Sequence, residues 1–214
     1  MKFSIKLLDT DKSISGRILS ALKTQVSLAF NKSKNSIVQK IKPTIRDLIK
    51  AEPEYGSLIS GQLKYELGVP DASIVDQIVE IWVNNVNVVN NPIKISGNKL
   101  VGGFRIEMIE GDYSDVLSSA GATITDSNTG SLVPWLEWLL LRGGDIVVKN
   151  YEVQMGPNPR SRTGMAIMVS SKEDYRIPTK FVGIESNNWV YRAISKLDDT
   201  TIQNIMQSEL EKNI

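Results

Sequence analysis

Residues 12–50 read KSISGRILSALKTQVSLAFNKSKNSIVQKIKPTIRDLIK. Ile14, Ile18, Leu22, Val26 and Phe30 step by four, while Leu19, Phe30 and Ile41, like Val26, Ile37 and Leu48, step by eleven. Eleven residues make three helical turns, so this spacing predicts one nearly straight helix from about Ser13 to Pro43, roughly 45 Å long at about 1.5 Å per residue. Pro43 is expected to kink or end it, because proline lacks the backbone donor and clashes with the preceding turn; Thr44 to Ala51 then reads as helical again. The same stretch holds nine cations and one anion, Asp47. It therefore carries +8 of a formal total of +1, and the rest of the chain sums to −7. So uneven a distribution suits a molecule that meets an acidic partner or further copies of itself.

The whole chain has 214 residues, 41% of them hydrophobic and 23% charged, which lies in the globular range and suffices for one or two domains. Cysteine and histidine are both absent. That removes disulfides, Cys/His zinc sites, Ser-His-Asp and Cys-His catalysis and histidine acid–base chemistry together. The opening residues Met1 to Asp9 lack the apolar run of a signal peptide, and the longest apolar stretch, Met165 to Val169, falls far short of the roughly 18 residues of a membrane span. A soluble protein made inside the cell, with no membrane partner, is expected.

Beyond the basic stretch, Glu52 to Gly56 reads as a connector. A helix is predicted for Ser57 to Leu67, stopped by Gly68 and Pro70, and a further one after an Asp71 N-cap, with Ile74, Ile78, Val79, Trp82 and Val83 on one face. Val86, Val88, Ile93 and Ile95 suggest extended chain, and Leu100 to Ile109 a strand weakened or bulged at Gly102 and Gly103. A helical turn at Asp112 to Ser118, a strand at Ala122 to Asp126 before an Asn128-Thr129-Gly130 turn, and a short helix at Trp135 to Arg142 follow. Strands Asp145 to Met155 and Thr163 to Ser170 flank the Pro-rich loop Gly156 to Arg162, and a last helix begins at Ser186 or Asn187 with a break near Asp198-Asp199. The class is α+β: a long N-terminal helix, an antiparallel sheet with helices packed on one side, and a C-terminal helix. The domain reading is a basic helical arm, residues 1–52, and an α+β domain, residues 53–214.

The residues expected to face a partner or DNA are Arg17, Lys23, Lys32, Lys34, Lys40, Lys42, Arg46 and Lys50, which lack intrahelical acidic neighbours except near Asp47. Phosphates would attract such a stripe without regard to sequence, although Phe30 is its only aromatic and single-strand stacking is disfavoured. Glu107, Glu110, Asp112 and Asp115 form the one acidic group worth weighing as a metal site; strand alternation and turn chemistry account for them better, and no metal is assigned. Catalytic residues and cofactors are likewise assigned as none: no Walker-type loop exists, and lone serines without a base are not nucleophiles. Trp135, Trp138 and Trp189 are assigned to subunit packing, with packing on the chain's own sheet as the alternative.

The order Arg160-Ser161-Arg162-Thr163-Gly164 with a hydrophobic strand, Tyr175-Arg176-Ile177-Pro178, Phe181-Val182-Gly183, then Asn188-Trp189-Val190-Tyr191-Arg192-Ala193 resembles the neck proteins of long-tailed bacteriophages, and within them the tail-completion, head-to-tail joining family. The resemblance spans about Ser57 to Ile214 and includes Ser57-Leu58 and Pro134-Trp135-Leu136 with Trp138-Leu139-Leu140; the N-terminal helix matches in length and character alone. It implies a non-enzymatic virion protein, assembled in the host cytoplasm, forming a homo-oligomeric ring, often a hexamer, between connector and tail proteins around packaged DNA. Arg160 and Arg162 then belong to an inter-subunit loop, Gly164, Pro178 and Gly183 set backbone geometry, and Arg192 is a candidate for a fixed ion pair.

Overall fold

The computed structural model describes residues 9–107, 113–125 and 130–214. The chain is α+β, with a long N-terminal helix, antiparallel strand pairs, shorter helices and a C-terminal helix. It divides into two compact units, one holding the described residues up to Ile41 with Asn87–Glu107 and Thr200–Ile214, the other Lys42–Val86 with the described part of Met108–Asp199. This division cuts across the expected boundary at residue 52, because the two ends of the first helix are buried by different parts of the chain.

Helix α1, Asp11–Lys50, continues through Pro43 rather than ending there. Ile37 and Ile41 before the proline, and Ile45 and Ile49 after it, are all fully buried, so apolar burial on both sides outweighs the one lost backbone bond. In the first unit α1 carries Ala29, Ser33, Ile37 and Ile41 on its covered face. Phe30 stacks on Phe104 at 4.4 Å and 12° between planes, and the buried Ser33 hydroxyl donates to the Glu209 carbonyl at 2.9 Å. Phe104 belongs to strand β2, Lys99–Glu107, which pairs antiparallel with β1, Asn87–Ser96. Their register shifts between Asn91 and Lys94, placing Ile93 against Gly102, where a side chain would run into the Ile93 backbone. The irregularity predicted at Gly102 thus sits there as a bulge on the facing strand. Helix α8, Asp199–Glu211, supplies Glu209 to this unit.

In the second unit the expected helix Ser57 to Leu67 is two helices, α2, Pro53–Ser60, and α3, Gln62–Leu67, separated at Gly61. The supposed connector Glu52 to Gly56 is mostly helical because Pro53, with its fixed φ, sits at the first helical position. Gly68 closes α3 in the left-handed conformation at φ 69°, and Asp71 caps α4, Ala72–Asn84, by accepting from the Ser73 amide. After α5, Ser114–Leu117, the strands β3, Ile124–Thr125, and β4, Leu132–Val133, form a short ribbon before α6, Trp135–Leu140. Of the segments predicted here, Met108 to Asp112 and Asp126 to Thr129 lie outside the described residues.

The long strand expected over Asp145 to Met155 is broken. Asn150, at φ 57°, separates β5, Ile146–Val148, from β6, Tyr151–Met155. Strand β6 pairs with β7, Ala166–Ser170, while β5 pairs with β8, Tyr175–Arg176, so the strands form separate two-stranded ribbons where one sheet was expected. Asparagine tolerates the left-handed region, and the Asp174 carboxylate fixes the turn by accepting from the Asn150 amide at 2.9 Å. A 3-10 turn, Thr179–Phe181, leads to α7, Trp189–Ser195, capped by Asn188, and the predicted break at Asp198-Asp199 separates α7 from α8. Gly183 is buried where an added Cβ would collide with the Leu139 carbonyl oxygen, which accounts for glycine there.

Candidate functional site

The eight cations assigned to a partner fall into two groups. Arg46 Nε and Nη2 donate to both oxygens of Glu80 at 2.5 and 2.7 Å, and Lys50 Nζ donates to Asp76 at 2.7 Å, where the Tyr55 hydroxyl also donates. Residues 46 and 50 on α1 and 80 and 76 on α4 share one four-residue step run in opposite directions, a complementarity visible in the sequence once the two helices are paired. The Arg46 hydrogen bond lowers the Glu80 pKa, and those from Lys50 and Tyr55 lower that of Asp76. Lys42 donates to the Asn84 carbonyl, and Lys40 meets the buried Glu209 at 2.5 Å. These four cations are tied within the chain, so the charge surplus read from sequence is largely neutralised from Lys40 onward.

The N-terminal half of α1 differs. Lys23, Lys32 and Lys34 make no ion pair among the described residues, and Arg17 touches only the exposed Asp9, at 3.3 Å. On the same turns Ile14, Ile18, Leu22 and Leu28 are 37, 53, 42 and 55% exposed. At 100° per residue these four fall within about a third of the helix circumference, with Ala21 among them. Solvent thus meets an apolar stripe of four turns with Arg17 at its edge and Lys32 in line with its C-terminal end, a combination that a free helix does not keep without use.

The tryptophans are largely turned inward. Trp135 is fully buried with its Nε1 donating to the Gly121 carbonyl at 2.8 Å, and Trp189 is 1% exposed and meets Trp82 edge-on at 5.4 Å. Both belong to the core of the second unit, which corrects their assignment to subunit packing: side chains so fully covered within the chain leave no surface for a neighbour. Trp138 is half-buried and lines a cavity.

That cavity, about 890 Å³, lies within the second unit. Its walls include Val133, Trp138, Val147, Val148, Val153 and Met168, with Glu66, Tyr175, Arg160 and Arg162 as polar groups. The Tyr175 hydroxyl donates to Glu66 at 3.0 Å while Gln62 donates to its other oxygen at 2.6 Å; burial pushes the Tyr175 phenol well above its ordinary range. Arg160 and Arg162 are both exposed on the loop, and the Arg162 guanidinium packs over Gly68, where any Cβ would crowd it. Nothing in the sequence reading joined α3 to this loop; the signal was Gly68, which needed both a left-handed turn and a flat neighbour.

No family model, curated protein or solved structure matches this chain.

Of the acidic group, Glu107 pairs with Arg105 and Asp115 accepts from Asn85, whereas Glu110 and Asp112 lie outside the described residues. Among the described residues no group of three or more acidic side chains is placed to hold a metal, and no helix is long and apolar enough to cross a membrane. Arg192 makes the fixed ion pair anticipated for it, with Glu54 and, at 3.9 Å, Glu52; Lys196 also meets Glu52. Burial raises the Glu54 pKa against the opposing pull of Arg192.

Proposed function

We propose that the chain is a non-enzymatic structural subunit of a tailed phage particle, a ring-forming neck protein that joins or completes the tail at the head-to-tail interface. The single observation that carries the assembly role is the exposed stripe of Ile14, Ile18, Leu22 and Leu28 with Lys32, unpaired among the described residues, in line with it. Phosphate attracts lysine but cannot cover isoleucine and leucine, so this half of α1 fits a protein surface with an apolar floor and an acidic rim better than DNA. The sequence resemblance over Ser57 to Ile214 supplies the placement at the neck, and a tail terminator or another tail or baseplate protein is the nearest alternative placement.

The test is electron microscopy of the purified protein and of the particle. Symmetric rings in which α1 lies against a neighbouring subunit are expected, together with loss of ring formation in an Ile14→Ser, Ile18→Ser, Leu22→Ser variant whose helix content and unfolding midpoint are unchanged. A monomer by gel filtration that shifts with DNA oligonucleotides, and particles in which the helix stands in open solvent, would overturn the reading.

A further inference from the structure

The open stripe of α1 begins with an anion and ends with a cation. At 100° per residue, Asp11 and Lys32 fall inside the same third of the helix circumference as Ile14, Ile18, Ala21, Leu22 and Leu28, the first a turn before the stripe and the second a turn after it. Both are exposed, and neither makes an ion pair among the described residues. Between them Gln25 is the one polar residue on that face. An aspartate in the first turn has a reason of its own in the helix dipole; a lysine that continues a line of isoleucine and leucine has none.

From Asp11 to Lys32 the face runs about 32 Å, with its midpoint between Ala21 and Leu22. Turned end for end about that point, it meets a second copy of itself with Ile14 level with the copy's Leu28, Ile18 with its Gln25 and Asp11 with its Lys32, to within one residue's rise of about 1.5 Å. Ala21 then stands at the axis, where a small side chain lets the two helices approach. A parallel arrangement would set Asp11 against Asp11 and Lys32 against Lys32, so charge selects the antiparallel one. Positions 11, 14, 18, 21, 25, 28 and 32 alternate steps of three and four, the spacing at which two helices keep contact along their length.

We infer that two copies of the chain associate through α1, antiparallel and two-fold symmetric, with Ile14, Ile18, Leu22 and Leu28 of each covering those of the other and an ion pair of Asp11 with Lys32 closing each end. This rests on the stripe being an association face, but on neither the ring nor its place in a particle. A two-fold contact joins two chains and then closes. The pair is therefore the form of the chain at concentrations too low for rings; it keeps four apolar side chains from water, and ring formation exchanges the second copy for a ring neighbour.

The lack of cysteine makes the test direct. Under mild oxidation Ala21→Cys should form a disulfide-linked dimer, Ile14→Cys and Leu28→Cys should each link at least tenfold less alone than when mixed together, and Lys23→Cys, on the opposite side of the helix, should stay monomeric. In sedimentation velocity, Asp11→Lys and Lys32→Asp should each weaken the dimer at least fivefold, and the double variant should return it to within twofold of the parent. All these positions are exposed, so the helix content of the parent should persist in every variant. Ala21→Cys linking no faster than Lys23→Cys, Ile14→Cys and Leu28→Cys each linking readily to itself, or a double variant no tighter than the single ones would overturn the pairing. Such a result beside particles in which α1 lies against another subunit removes this inference and leaves the assembly reading intact, whereas intact pairing beside particles with α1 in open solvent removes the assembly reading alone.

Discussion

Glu209 holds two lysines, Lys40 and Lys212, each at 2.5 Å, and their hydrogen bonds, Lys212 first, pull its pKa from the usual 4.5 down to about 2. A carboxylate whose folded pKa is depressed stabilises the folded state above its unfolded pKa and loses that contribution as pH falls toward the folded value. The urea midpoint of the parent should therefore exceed that of Glu209→Gln at neutral pH, and the gap should close as pH is lowered from about 4.5 to about 2. A gap independent of pH would assign the residue's role to packing alone. Gly183 sets a second test at this scale. Its Cβ position is occupied by the Leu139 carbonyl, so Gly183→Ala should cost about 2 to 3 kcal/mol in urea unfolding, since backbone atoms on both sides must shift.

Among the elements, α1 makes the sharpest contrast, because one apolar periodicity serves two purposes along its length. Ile41→Ala should lose about 2 to 4 kcal/mol, the cost of a cavity at a fully buried site, whereas Ile18→Ala at 53% exposure should change stability by less than about 0.5 kcal/mol while weakening assembly. Differential unfolding of the two variants beside their ring formation checks both. Pro43→Ala should raise the thermal midpoint, by the equivalent of about 1 to 3 kcal/mol, because the Gln39 carbonyl regains a backbone donor at an exposed position. Periodicity made this helix legible from sequence, as did the caps at Asp71 and Gly68 and the break at Asp198-Asp199. It could not show which half of the stripe would be covered, because spacing reports a face and not what lies against it. The Asn150 break was hidden for the opposite reason: Ile146, Val147 and Val148 run on toward Tyr151 and Val153 as apolar strand residues, and one left-handed asparagine overrides that continuity. Trp135 and Trp189 read as subunit contacts and lie in the core because an aromatic-rich amphipathic helix looks the same whether its own core or a neighbour receives it.

Over the whole molecule, the formal split of +8 and −7 is partly internal, since Glu80, Asp76 and Glu209 meet Arg46, Lys50 and Lys40. Arg46 and Glu80, 32 and 40% exposed, contribute about 0.5 to 1 kcal/mol in spite of their bidentate geometry, because water screens them. What remains outward lies between Lys12 and Lys34, and association through that segment should weaken as ionic strength rises while retaining an apolar component that salt does not remove. Sedimentation velocity at 50 and 500 mM salt separates the two contributions.

The way Glu209, Asp76 and the Asn84 carbonyl engage the lysines of one half of α1, and leave the others alone, also gives the helix a chemical fingerprint. Acylating reagents attack the neutral amine, and hydrogen bonds donated to Asp76 and Glu209 hold Lys50 and Lys212 in the protonated form. Isotope-coded acylation followed by mass spectrometry should thus modify Lys32 ahead of Lys50 and Lys212 in the isolated subunit, and the selective disappearance of that tag on maturation would time the moment at which the helix finds its seat.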